Sequence, residues 1–312
     1  MYMTTYNVIG HKNPDTDAIC SAIAMAEFMK AKGHDAQALR LGELNNETKF
    51  VLEYTNTQVP EMVTSLEEGS QVVLVDHNEK AQSIDNLDKY SIYYIVDHHK
   101  FNLETSTPLY IRAEPIASTC SIIAKMFSEE QIEVSKELAT LMISAIISDT
   151  LFFRSPTTTH EDKQLVEMLN EIAQIEDLEA YSLEMFKAKS DLGNITAIEM
   201  IQIDYKEFDF NNQMYGIGVM ETTSPDFGIN KLDEIKEALT QIQERDNLQG
   251  VMFSVVDILE EKNYSICSNE EFSIQVQEAF NATVLENGFL DLHNAVSRKK
   301  QIVPTLKAFL EK

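Results

Sequence analysis

The first half of the chain sets short apolar runs against longer segments whose apolar residues recur every three or four positions. The runs at 6–9, 36–41, 72–75 and 93–96 have the composition of strands. Two of them, VVLV and YYIV, carry no polar alternation, as strands buried on both faces do. Helices are predicted at 18–32, stopped by Gly33, and at 120–129, 136–148, 160–173 and 178–189. Strands alternating with helices predict an α/β fold, a mostly parallel sheet flanked by helices. SDLGN at 190–194 reads as a linker, and beyond it the pattern changes. A helix at 197–203, strands near 207–210 and 214–220, a long helix over 231–246 and strands near 251–256 and 264–267 predict a smaller mixed α/β domain. The expected organisation is a first domain at 1–189, the linker, and a second domain at 195–312.

Three of the predicted strands end in polar clusters. The first runs into Gly10-His11-Lys12-Asn13-Pro14-Asp15-Thr16-Asp17, VVLV into Asp76-His77-Asn78-Glu79, and YYIV into Asp97-His98-His99. Each alone has an ordinary explanation: Asn-Pro-Asp is turn chemistry, Asp17 reads as an N-cap, and a His-His pair is usually surface. In an open parallel sheet, however, ligands bind at the carboxyl ends of the strands, where these three clusters meet. A fourth element joins them. The helix containing Leu141–Ile147 is apolar almost all round and ends in Ser148-Asp149-Thr150. An anion there is disfavoured by burial and by the helix C-terminus, and a metal ion resolves both problems. Carboxylates with a minority of imidazoles and no thiolates suit Mn2+, with Co2+, Fe2+ or Zn2+ as alternatives. Bridging carboxylates would hold two ions about 3.5–4 Å apart, an arrangement that activates a shared water and neutralises phosphate oxygens.

Composition narrows the partners. With 312 residues, 44% hydrophobic and 24% charged, the chain has enough material for two cores. Its net charge of −26 repels nucleic acid and anionic lipid surfaces. No apolar run is long enough to cross a bilayer, and the start MYMTTYNVIG lacks the pattern of a signal peptide, so a cytoplasmic location is expected. Cys20, Cys120 and Cys267 form no CxxC pair, which argues against a disulfide framework or a thiolate zinc site. The densest basic cluster in this acidic chain is Ser297-Arg298-Lys299-Lys300, whose forked and point-charge donors would suit a phosphate.

In order, His-x-Asn-Pro-Asp-x-Asp, Asp-His-Asn-Glu, Asp-His-His, Ser-Ala-Ile-Ile-Ser-Asp and Ser-Arg-Lys-Lys resemble the motifs of the manganese-dependent (family II) inorganic pyrophosphatases of the DHH phosphoesterase superfamily. The motifs run from residue 9 to 304, and Arg112-Ala113-Glu114-Pro115 and Ser155-Pro156-Thr157 share the family's style. The resemblance implies that His11, Asp15, Asp76 and Asp149 hold one Mn2+ and that Asp17, Asp76, His98 and Asp149 hold the other, Asp76 and Asp149 bridging. Co2+ is an alternative, and further Mg2+ or Mn2+ would arrive with substrate. His99 would contact substrate near the leaving oxygen, with Asp97 orienting the histidines, and Lys206, Arg298 and Lys299 would bind phosphate. The implied reaction is hydrolysis of pyrophosphate to two phosphates by a metal-activated bridging hydroxide, with the two domains closing over the substrate in a cytoplasmic homodimer.

Two stretches depart from the family's pattern: Pro115-Ile116-Ala117-Ser118-Thr119-Cys120 stands for Pro-Val-Gly-Cys-Thr-Ala, and Thr150-Leu151-Phe152-Phe153-Arg154 varies on Ser-Leu-Leu-Phe-Lys. Neither is expected to touch a ligand. The sequence leaves no room for the regulatory nucleotide-binding insert of some relatives. The alternatives are a DHH phosphoesterase acting on short oligonucleotides or cyclic dinucleotides, which would use a glycine-rich, histidine-containing motif where this chain has SRKK, and a metal-binding regulatory protein, which would need no dense cation cluster.

Overall fold

Sheet order places the polar strand ends together. The computed structural model describes residues 4–105, 107–191, 193 and 195–311. Leu192 and Asn194, inside the expected linker, and the terminal Lys312 lie outside the described residues. Two compact units result, Met1–Lys189 and Ser190–Lys312.

The first unit runs β1 (Thr5–Ile9), α1 (Thr16–Ala31), β2 (Asp35–Arg40), α2 (Asn46–Tyr54), β3 (Glu61–Met62), β4 (Gln71–Val75), β5 (Ser91–Asp97), β6 (Tyr110–Ala113), α3 (Thr119–Glu129), α4 (Lys136–Thr150), α5 (His160–Ala173) and α6 (Leu178–Ser190). Among the described residues its sheet has six strands in the order β3-β2-β1-β4-β5-β6, every pairing parallel. The chain winds outward from β1 through β2 to β3, then returns to β4 on the other side of β1. The switch point therefore lies between β1 and β4, where an α/β sheet opens a crevice at its carboxyl edge. One face buries Ile9, Leu39, Val72, Leu74 and Ile95. The alternate residues Val8, Val73, Val75 and Val96 are also fully buried. That accounts for VVLV and for the end of YYIV, whose Tyr93 and Tyr94 are only partly buried.

The expected helix at 18–32 begins earlier, at Thr16. Its N-cap is Asp15, whose side chain accepts from the Ala18 N–H, and Asp17 lies inside the first turn. Gly10 is required by packing: a Cβ there would stand 2.8 Å from the Ala18 carbonyl oxygen, so only glycine lets the end of β1 lie against α1.

The second unit contains α7 (Ala197–Gln202), β7 (Tyr205–Phe210), β8 (Gln213–Thr222), α8 (Asp226–Ile229), α9 (Leu232–Arg245), β9 (Gly250–Asp257), β10 (Lys262–Cys267), α10 (Glu270–Phe280), β11 (Thr283–Val284), β12 (Leu290–Asp291), a π-helical turn at Arg298–Ile302 and α11 (Val303–Leu310). Its sheet, β11-β12-β10-β9-β8-β7, is mixed: β8 and β9 are parallel and the other pairings antiparallel. Val251, Phe253 and Val255 pack with Ile201, Ile235 and Leu239 on one face, while Met252 and Val256 pack with Phe272, Val276 and Leu306 on the other. The pattern reading assigns no element to α2, β3, β6, α8, α10, β11, β12 or α11. α2, for instance, buries only Glu47, Thr48, Val51 and Leu52, so its apolar stripe is two residues deep.

Candidate metal centre

Asp76 stands at the middle of the carboxyl edge. It follows β4 with φ 59°, a left-handed conformation that Asp tolerates better than most residues. Its carboxylate, only 2% exposed, lies 3.4 Å from His11 Nε2 and 3.3 Å from His98 Nε2. Thr119 Oγ1 donates to it at 3.1 Å. Burial opposes its ionisation, but the two imidazoles prevail and hold its carboxyl below the usual range.

Around Asp76 the potential ligand atoms fall into overlapping groups: His11, Asp15 and Asp76; Asp17, His98 and Asp149; and Asp76, His98 and His99, each within 4.8 Å of one another. The six residues expected from sequence as metal ligands are thus gathered at one edge. His98 is oriented for ligation. Its Nδ1 lies 2.9 Å from the Ile116 carbonyl oxygen, which can only accept, so the neutral ring carries its lone pair on Nε2, toward Asp76.

Electrostatics show that the cluster is short of positive charge. Burial and the neighbouring Asp76 push Asp17 up to about 6. Burial together with Asp17, Asp76 and Asp15 drives Asp149 well above the ordinary carboxylate value. Despite their burial, His11 rises to about 10 and His98 to about 9 because the carboxylates hold their protons. Four carboxylates with two imidazoles and no thiolate form a donor set that fits divalent Mn2+. The chain after Asp149 is strained as well. Leu151, Phe152 and Phe153 have φ of 47°, 50° and 68°, a left-handed run of a kind that clusters at functional sites.

His99 is half exposed, and Asp97 Oδ1 holds both its backbone N–H, at 3.1 Å, and its Nδ1, at 2.9 Å. The other Asp97 oxygen accepts from Asn78 Nδ2 at 2.6 Å. His77, though part of the same strand-end cluster, belongs elsewhere. Its Nδ1 faces the Val75 carbonyl and its Nε2 faces Ser83, so both ring nitrogens are committed to the fold.

One expectation is corrected here. Ser118, Thr119 and Cys120, in the first departure from the family's pattern, do touch candidate ligands. Asp17 Oδ1 accepts from Ser118 Oγ at 2.8 Å and the Cys120 N–H at 3.0 Å, and Oδ2 accepts from the Thr119 N–H at 2.6 Å. The N-terminus of α3 therefore binds Asp17 as it would bind an anion. In sequence, Ser118 has the form of an ordinary N-cap, and nothing local indicates that its partner lies 101 positions upstream.

In the second unit, Ser297 caps the π-helical turn that carries Arg298 and Lys299. Arg298 is largely buried and engages Asp204 twice, through the Asp204 carbonyl and, at 2.6 Å, through its carboxylate. Lys206, two residues on in β7, and Lys299 are exposed.

Comparison with known proteins covers both units. The DHH family N-terminal domain matches residues 5–146, and the DHHA2 domain matches residues 183–309. A Deinococcus radiodurans protein named probable manganese-dependent inorganic pyrophosphatase is 46% identical over 307 residues, covering 97% of this chain and 98% of its own. A Bacillus licheniformis protein of the same name is 41% identical over 311 residues, covering 99% and 100%. The crystal structure of a Methanococcus jannaschii protein assigned to the family II inorganic pyrophosphatases matches with a TM-score of 0.63 at 36% identity, covering 98% of this chain and all of that one. An exopolyphosphatase-related protein from Bacteroides fragilis, at 14% identity and a TM-score of 0.52, shares the fold alone.

Proposed function

The chain belongs to the manganese-dependent inorganic pyrophosphatases of the DHH family, and from that premise we propose that it hydrolyses pyrophosphate to two phosphates. The observation that carries the reading is the gathering of His11, Asp15, Asp17, Asp76, His98 and Asp149 at the switch point of the parallel sheet. These residues would hold two Mn2+ ions, or Co2+ in their place, with Asp76 and Asp149 shared and further Mg2+ or Mn2+ entering with substrate. Bound there, the cations supply charge for the phosphate oxygens and acidify the attacking water.

The chain's own residues do the rest. Asp97 fixes the His99 ring through Nδ1, which leaves Nε2 to meet a phosphate oxygen near the leaving group. Lys206, Arg298 and Lys299 bind the remaining phosphate charge, Arg298 exchanging Asp204 for the anion it resembles. Residues 190–194 act as the linker between domains 1–189 and 195–312, which close over the substrate and exclude water.

The charge of −26 supports a small, metal-complexed substrate rather than nucleic acid or a membrane surface, and a cytoplasmic homodimer is the assembly we infer. Among the described residues no helix is long and apolar enough to cross a membrane. Phosphate release from pyrophosphate and from a dinucleotide, each with Mn2+, Mg2+ or chelator, tests the reading. Mn2+-dependent release from pyrophosphate is expected, and preference for the dinucleotide would reverse it.

A further inference from the structure

Glu47 has no part in the site as described, yet its surroundings tie it there. It sits in the first turn of α2 with a fully buried side chain. Its Oε2 accepts from Thr16 Oγ1 at 2.8 Å and from Ser148 Oγ at 2.8 Å, and it pairs with Lys189 Nζ at 3.2 Å. Lys189 also donates to Ser148 Oγ at 3.3 Å, and Thr48 Oγ1 lies 3.1 Å from Thr16 Oγ1. Thr16 stands between Asp15 and Asp17, and Ser148 directly precedes Asp149. One carboxylate oxygen thus joins the start of α1 to the end of α4, the two elements that bring three of the aspartates to the cluster. The other oxygen, Oε1, is buried with no partner among the described residues. A fold that needed only packing here would gain by an apolar side chain, so an incompletely satisfied carboxylate calls for another reason.

We propose that Glu47 is a positioning residue of the metal centre, fastening Thr16 to Ser148 so that Asp15 and Asp17 are held against Asp149. The inference rests on the reading of those aspartates as Mn2+ ligands and extends it. Groups that orient ligands from outside the coordination sphere change metal affinity about 10–100-fold when removed. Glu47 adds a second effect, because its negative charge lies behind a site that gathers cations. Lys189 opposes that effect. The two members of the ion pair should therefore act in opposite directions on metal binding, although losing either one destabilises the fold.

Mn2+ dissociation constants of the metal-free chain, its melting temperature, and kcat and KM for pyrophosphate would be measured for wild type, Glu47→Gln, Ser148→Ala and Lys189→Met. Glu47→Gln should weaken Mn2+ binding about 10–100-fold and lower kcat, with little change in KM at saturating Mn2+. Ser148→Ala should weaken binding in the same direction by less. Lys189→Met should bind Mn2+ at least as tightly as wild type while melting at a lower temperature. Affinity that merely follows melting temperature across the series overturns the proposal, since a structural carboxylate would behave that way. Should Glu47→Gln not fold, the other two variants decide: wild-type affinity in Ser148→Ala, or loss of affinity in Lys189→Met, overturns it. A wild-type chain that takes up no Mn2+ overturns the ligand reading itself, whereas Mn2+ binding that is equal in wild type and Glu47→Gln overturns only the role of Glu47.

Discussion

Ser118→Ala tests how the N-terminus of α3 supports Asp17. The hydroxyl does two things at once: it donates to Asp17 Oδ1 at 2.8 Å and accepts the Cys120 N–H at 3.1 Å as the helix N-cap. A hydrogen bond to a charged group contributes about 1.5–3 kcal/mol, and an N-cap about 0.5–2 kcal/mol. Because one oxygen serves both, the losses overlap, and we expect about 2–3 kcal/mol for the metal-free protein. For a unit of this size that lowers the melting temperature by about 4–12 °C. The deficit should depend on pH. Asp17 is raised from 3.8 to about 6 by burial and by Asp76, so the folded state binds its proton more tightly than the unfolded chain does. Its ionisation therefore costs stability progressively between pH 3.8 and about 6, and Ser118 relieves part of that cost. The gap between variant and wild type should be widest above pH 6 and narrow toward pH 4. Mn2+ affinity should fall about tenfold. Ser118→Cys should lie between the two, since a thiol is a weak donor. Thermal melts across pH and Mn2+ titration are the assays. A gap that does not vary with pH, together with unchanged Mn2+ affinity, refutes the account.

Three other outcomes can be checked. Asp149→Asn should abolish Mn2+-dependent hydrolysis yet raise the melting temperature of the metal-free protein, because burial and the charges of Asp17, Asp76 and Asp15 oppose the ionisation of Asp149; a lower melting temperature would mean that burial and those charges do not set its environment. At pH 8, His11 and His98 carry protons in the metal-free protein, so Mn2+ uptake should release them; calorimetry giving one enthalpy in buffers of different ionisation heat would remove the imidazoles from the ligand set. Arg298→Ala should leave Mn2+ affinity unchanged and lower kcat/KM about 10²–10³-fold, with Arg298→Lys recovering only part; weakened Mn2+ binding with intact turnover would make the basic cluster structural.

Strand runs and strand ends were legible because they depend on local pattern. VVLV is continuous because both faces of β4 are covered, whereas in YYIV only Ile95 and Val96 are buried and Tyr93 and Tyr94 stay partly exposed; each run ends at the sheet edge where polar residues gather. What the pattern could not convey was direction. Asp76 and His77 are neighbours of similar chemistry, but the left-handed turn at Asp76 sends its carboxylate toward His11 and His98, while His77 turns back to Val75 and Ser83. By sequence Asp17 reads as the N-cap and Asp15 as part of a turn, whereas in the structure Asp15 caps α1. The structure separates them by which oxygen meets the Ala18 N–H and which meets α3. Long-range partners such as Ser118 and Glu47 gave no local signal.

The same separation explains why the centre is costly without a cation. Asp17 receives the amides of α3, Asp76 receives two imidazoles and Thr119, and Glu47 holds the adjoining hydroxyls, so Asp17 and Asp76 are fixed by groups the fold supplies. Those contacts fix position without neutralising the whole charge, as the raised Asp17 and Asp149 show. Rigid acidic groups that remain short of positive charge cannot lower their energy by moving apart; they can do so only by binding protons or metal ions. Lowering the pH from about 6 toward 3.8 and adding Mn2+ should therefore both relieve the charge on Asp17, and they should compete with each other in doing so.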